Sequence, residues 1–121
     1  MNLKKDYRGK TWWDVFPIGK GQINFTHNYK GTIRAFHRHK KQTDYWFCVY
    51  GEAWIILDGK SMYISQGDYI EIPPDTWHGL QALEDMGLLY WCTERSSDLP
   101  KDERDEERAD WNKYSWIKEW K

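Results

Sequence analysis

His37 and His39 stand one residue apart, Asp44 follows five positions after His39, and His78 closes the bend Pro73-Pro74-Asp75-Thr76-Trp77. They include three of the chain's four histidines. Side chains on a strand alternate with period two, so both imidazoles share one face, and a loop through Thr43 brings Asp44 in from the adjoining strand. Neutral imidazole with carboxylate is a donor set for zinc, nickel, copper, iron(II) or manganese. The set therefore has three uses. His37, His39, Asp44 and His78 hold a divalent transition metal; or His37 is a free catalytic base; or the rings are ordinary hydrogen-bonded core histidines. The first two exclude each other, because one lone pair on His37 serves only one of them. No organic cofactor is implied. His27 lies outside the set and reads as structural or surface.

The elements that must position these residues read as strands. Short aromatic and β-branched runs are broken at Gly19, Gly21, Gly31, Gly59 and Gly67, which is the spacing of an all-β sandwich or barrel. Asp58-Gly59 predicts a two-residue turn joining Ala53–Leu57 to Met62–Ile64, and Pro73 and Pro74 end a strand over Tyr69–Ile72. From Asp44 to Tyr50 both parities are apolar or aromatic, which predicts a strand covered on both faces, between sheets or under a dimer partner. Parity puts Trp46, Cys48 and Tyr50 on the Asp44 face, where Trp46 walls a pocket or fills the barrel. The charged stretch from Ser96 to Asp110 predicts a solvated turn or short helix, and the aromatic stretch from Trp111 to Trp120 predicts docking back on the barrel or a neighbouring subunit.

The chain has 121 residues, one domain's worth, and a formal net charge of -1. That charge gives no support for nucleic-acid or anionic-membrane partners. The opening lacks the apolar run of a secretory signal, and no segment reaches the roughly 18 apolar residues of a membrane span. These features predict a cytoplasmic protein in which the two cysteines, Cys48 and Cys92, are free buried thiols.

Gly31-x5-His37-x-His39-x4-Asp44-x6-Gly51 resembles the first cupin motif with Asp for the usual Glu, and Gly67-x5-Pro73-x-Asp75-x2-His78 resembles the second. Asp75 stands where that motif has a turn glycine, and Ala82 where it has a closing Asn. The resemblance implies an all-β cupin, a double-stranded β-helix or jelly-roll barrel. The expected layout is a single cupin domain over 1–121, with the barrel at roughly 10–95 and a short charged and aromatic tail over 96–121.

A second resemblance is closer, to the dTDP-4-dehydrorhamnose 3,5-epimerases. It is carried by Asp6-Tyr7-Arg8-Gly9, Gln22-Ile23-Asn24-Phe25-Thr26, Gly31-Thr32-Ile33-Arg34-Ala35-Phe36-His37, Ile72-Pro73-Pro74-Asp75-Thr76-Trp77-His78-Gly79-Leu80 and Leu89-Tyr90-Trp91-Cys92-Thr93. It implies that Arg8, Gln22, Asn24 and Arg34 grip a nucleotide diphosphate and that His37 is the base beside the sugar.

Epimerisation beside a ketone needs a base, a group to stabilise the enolate oxygen, and an acid on the opposite face. The family's lysine corresponds here to Asp44, its tyrosine beyond the last strand to Arg95, and its distal aspartate has no counterpart. A dication at the histidines would replace the lysine as Lewis acid. Tyr50 is the stand-in acid, and Arg95 and Trp46 join the substrate-binding candidates. The expected function is an epimerase or isomerase, homodimeric, acting on a nucleotide-linked 4-keto-6-deoxy sugar with metal assistance. The alternatives are a metal-dependent small cupin oxygenase and a non-catalytic sugar-binding cupin.

Overall fold

The computed structural model describes residues 2–95 and 99–108. Its strands are β1 (Asn2–Asp6), β2 (Gly9–Ile18), β3 (Gly21–Asn28), β4 (Ile33–Arg38), β5 (Asp44–Tyr50), β6 (Glu52–Leu57), β7 (Lys60–Ser65), β8 (Tyr69–Ile72), β9 (His78–Ala82), β10 (Met86–Cys92) and β11 (Glu107–Arg108). They form two antiparallel sheets, β1-β2-β3-β10-β5-β8 and β11-β4-β9-β6-β7. This is the expected jelly-roll barrel. Trp46, Cys48, Ile55, Ile64, Ile72, Leu80, Met86 and Leu88 fill the space between the sheets. Among the described residues no helix is long and apolar enough to cross a membrane.

The turn chemistry holds. Asp58 and Gly59 both take positive φ, 47° and 84°, and Leu57 pairs directly with Lys60, as a primed two-residue hairpin requires. Asp75 sits at φ 61°, the left-handed conformation that the motif's glycine would adopt, and Asp tolerates it better than most residues. Cys48 and Cys92 are buried free thiols.

The sheets also draw in residues on either side of 10–95: β1 pairs with β2, and β11 pairs with β4 through Glu107–Arg38 and Arg108–His37. The charged stretch is therefore not merely solvated. It makes a single 3-10 turn at Lys101–Glu103, the short turn expected, and then joins the sheet beside the histidines, where the Asp105 carboxylate accepts the backbone N–H groups of residues 40–42 and Glu107 pairs with Arg38. Within the single chain β5 is covered on one face, which leaves its other face for a dimer partner. Asp44, Trp46 and Cys48 are buried, while Phe47 and Val49 face outward and exposed and Tyr45 stacks on Trp91 across the strand. The Trp111–Trp120 docking expectation lies outside the described residues.

Candidate metal centre and its cavity

A regular β4 would send Arg34 and His37 to opposite faces. Between Ala35, paired with Gly79, and His37, paired with His78, the register shifts by one residue, and Phe36 is the insertion. Phe36 takes φ 61°, a left-handed conformation that costs a bulky residue about 1–3 kcal/mol. Tertiary packing holds it there. Its ring is buried against Gly79, where a Cβ would come within 2.9 Å of the ring. The bulge resets parity, so Arg34 and His37 line one cavity.

His37 from β4, His39 just beyond it, Asp44 opening β5 and His78 opening β9 converge. Their donor atoms all lie within 4.8 Å of one another, and the imidazole centroids are 4.6–5.3 Å apart. His39 Nε2 and His78 Nε2 are each 3.6 Å from Asp44 Oδ2, near the roughly 3.4 Å that separates ligands of a tetrahedral ion.

The outer nitrogens define the tautomers. His78 Nδ1 donates to the Thr76 carbonyl at 2.8 Å, and His39 Nδ1 to the Asp105 carbonyl at 2.5 Å. His37 Nδ1 lies 2.6 Å from Glu106 Oε1, with an approach bent from the ring N–H axis. Carbonyl oxygens have no proton to give, so Nδ1 of His39 and of His78 carries the hydrogen and each Nε2 presents a lone pair inward, and the Glu106 carboxylate beside His37 Nδ1 favours the same tautomer there. His78 Nε2 is buried with no hydrogen-bond partner among the described residues. Three lone pairs and a carboxylate aimed at one point repel unless a cation lies between them, and that donor set fits a divalent transition metal. Gln42 Nε2 holds the other Asp44 oxygen at 2.5 Å.

The charges follow from burial and neighbours. Desolvation pulls His78 down to about 3, helped by His37, and desolvation likewise lowers His37 against the pull of Glu106. Burial works to raise Asp44, but the His39 and His78 imidazoles beside it outweigh burial and leave the carboxyl at about 2. Glu106 is held at about 2, chiefly by its contact with His37. Only His39 is net raised: burial lowers it and the Asp44 carboxylate more than compensates.

Beside the cluster opens a cavity of about 130 Å³ lined by Arg8, Trp13, Arg34, Trp46, Tyr90, Glu106 and Arg108 among others. Arg34 Nε and Nη2 are buried there without a hydrogen-bond partner among the described residues. Desolvation, then the Arg8 charge, lowers the Arg34 pKa. Arg34 is thus a cationic fork aimed at the cavity. Tyr90 faces inward from β10 in phase with Leu88 and Cys92, and desolvation keeps its phenol protonated far above the ordinary range.

Of the residues singled out in the sequence, His37, His39, Asp44 and His78 come together, and Arg8, Arg34 and Trp46 line the adjoining cavity. Asn24 lines its smaller extension of about 80 Å³. Gln22 is fully buried and spends its amide on Asn24 Oδ1 at 2.8 Å, supporting that side chain from below. Tyr50 is not in the cavity. Gly87 pairs with Tyr50 and Leu88 with Cys48, so a bulge at Val49 turns Tyr50 to the outer face, 2.5 Å from His27 Nδ1. Arg95 is bound to the Asp14 carboxylate through both terminal nitrogens and braces the bulge in β2. Sequence reasoning missed Tyr90, which the alternation of β10 would have revealed, and Asp105 and Glu106, for which no local pattern gives a signal.

The profile of the family described as the cupin domain matches residues 25–92. The spore coat polysaccharide biosynthesis protein SpsL of Bacillus subtilis is 30% identical over 107 residues, covering 76% of this chain and 69% of that protein. The probable low-salt glycan biosynthesis epimerase Agl13 of Haloferax volcanii is 30% identical over 109 residues, covering 74% and 70%. Among solved structures, the capsular polysaccharide assembling protein CapF of Staphylococcus aureus superposes with TM-score 0.77 at 18% identity, over 88% of this chain. This chain spans 33% of CapF. KdgF from Halomonas sp. superposes with TM-score 0.74 at 21% identity, over 81% of this chain and 90% of that one.

Proposed function

This chain belongs to the cupin domain family, and from that premise we propose that it is an epimerase or isomerase of a nucleotide-linked 4-keto-6-deoxy sugar, assisted by a divalent transition metal. One observation carries the proposal. The three-imidazole, one-carboxylate cluster opens into the same cavity as the Arg34 guanidinium and the Tyr90 phenol. The names of SpsL and Agl13, which place those proteins in polysaccharide and glycan biosynthesis, support sugar chemistry.

His37, His39, Asp44 and His78 would hold the ion, which when bound supplies Lewis acidity toward a ketone oxygen. The chain's own groups do the rest. At about 130 Å³ the cavity is far too small for a nucleotide, so the keto carbon of the sugar would face the histidines with the nucleotide at the mouth. Arg34 grips substrate oxygens, and Arg8 and Arg108 extend the positive charge outward toward a diphosphate. Trp13 and Trp46 flank the ring and keep water from the reacting carbon. The ionised Glu106 carboxylate, lining the cavity on the His37 side, takes the proton beside the ketone, and Tyr90, protonated throughout, returns one to the enolate from the opposite sheet. A homodimer would bury the exposed Phe47, Val49 and Tyr69, and sedimentation of a Phe47→Glu variant against the parent checks that contact.

The test is incubation of metal-loaded protein with nucleotide-linked 4-keto-6-deoxy sugars in deuterium oxide, read by NMR. Deuterium at the carbon beside the ketone is the expected result. Failure of calorimetry to detect binding of any nucleoside diphosphate or its sugar conjugates would overturn the proposal.

A further inference from the structure

The acidic segment around β11 does more than pair with β4. Asp105 accepts the backbone N–H groups of Lys40 and Lys41 at 2.8 Å and of Gln42 at 3.0 Å through its carboxylate, clamping the loop between His39 and Asp44. Its carbonyl takes the His39 Nδ1 hydrogen at 2.5 Å. The next residue, Glu106, places a carboxylate 2.6 Å from His37 Nδ1, with its side chain only 19% exposed. Arg38 then fixes the strap from outside by binding Glu107 at 2.9 Å. Two of the three inward-facing imidazoles thus take their orientation from two consecutive residues more than sixty positions later in the chain. The third, His78, is oriented by its own neighbour Thr76.

We infer that residues 105–106 brace the metal centre from behind its histidines, with Glu106 the positioning residue that favours the tautomer and aim of His37 and raises its strength as a ligand. An imidazole ring rotates freely about its Cβ–Cγ bond unless its second nitrogen is held. An anionic acceptor on that nitrogen also pushes electron density toward the ligating one. Glu106 supplies both effects, and its ionised state is compatible with the neutral His37 that ligation requires. The inference rests on the metal proposal above and goes beyond it, by naming what makes His37 a ligand instead of a loose ring.

The experiment is zinc titration of chelator-stripped protein by calorimetry with a competing chelator, paired with visible spectra of the cobalt(II) form. Glu106→Ala should weaken zinc affinity by about 10–100-fold and alter the cobalt spectrum. Glu106→Gln, which keeps an oxygen acceptor without the charge, should recover part of the loss. Glu103→Ala, which removes an exposed carboxylate of the 3-10 turn outside the strap, should bind zinc as the parent does. If Glu106→Ala does not fold, as judged by circular dichroism, Glu106→Gln decides by the same two readouts. Parent-like affinity and spectrum in the folded Glu106 variants would overturn the inference while leaving the metal centre intact. A parent protein that takes up neither zinc nor cobalt would overturn both.

Discussion

Arg34 and His37, three positions apart on β4, face the same cavity because the left-handed Phe36 between them absorbs one residue of register. The imidazole of the histidine cluster and the guanidinium beside it are therefore held on one wall by a single backbone bulge. That bulge depends on the absence of a side chain at Gly79.

Gly79→Ala should accordingly push the Phe36 ring off its seat. A Cβ within 2.9 Å of the ring cannot be accommodated without moving β4, and overpacking of this kind costs about 1–3 kcal/mol. Urea denaturation should show that loss, together with weaker zinc binding. Parent-like stability and metal uptake would mean that the bulge is not what aims His37.

Asp44→Ala should abolish retention of metal while the barrel stays folded. The carboxylate is the one anionic donor in the cluster, but most of the core packing lies elsewhere. Elemental analysis of protein purified without a histidine tag reads the first point, and circular dichroism the second. Unchanged metal content would remove Asp44 from the ligand set.

Tyr90→Phe removes the protonated phenol from the wall across from His37 and little else. Turnover should fall by about 10²–10⁴-fold with substrate affinity nearly unchanged, and solvent deuterium should still enter the substrate if proton removal is intact. A variant with full turnover would show that the returning proton comes from another source.

The metal-free protein should lose stability as pH falls below neutral. His78 has a folded pKa of about 3 against an ordinary 6.5, so the unfolded chain takes up its proton first. Stability carried by that difference is present above about 6.5 and is lost as pH falls toward 3. Asp44 and Glu106, both depressed to about 2 from 3.8 and 4.5, have the same sign in a lower window. His39, raised, works the opposite way. Calorimetric melting of chelator-treated protein from pH 7 to 4 should show a falling midpoint, and a His78→Gln variant should flatten the upper part of the fall. A His78→Gln profile identical to the parent's would mean that His78 is not held neutral in the fold.

Much of the site was legible before any fold was known. Period-two alternation places His37 and His39 together, the proline bend delivers His78, and Asp58-Gly59 announces its hairpin, because each depends on a few adjacent residues. Tyr50 shows where such reasoning stops. Alternation puts it beside Asp44, but one extra residue at Val49 turns it outward. A bulge is set by the partner strand and leaves no mark in the strand that carries it.

By itself the amino-acid order determined the strands, the turns and the identity of the four convergent donors, since these follow from local sterics, side-chain alternation and ligand chemistry. Only the tertiary structure decided that Arg34 shares a wall with His37, that Tyr90 answers across the barrel, and that an acidic run, outwardly a solvated one, returns Asp105 and Glu106 to the histidines. Those relationships depend on contacts between residues far apart in the chain. Their energies come from closing the barrel and exist in no segment taken alone.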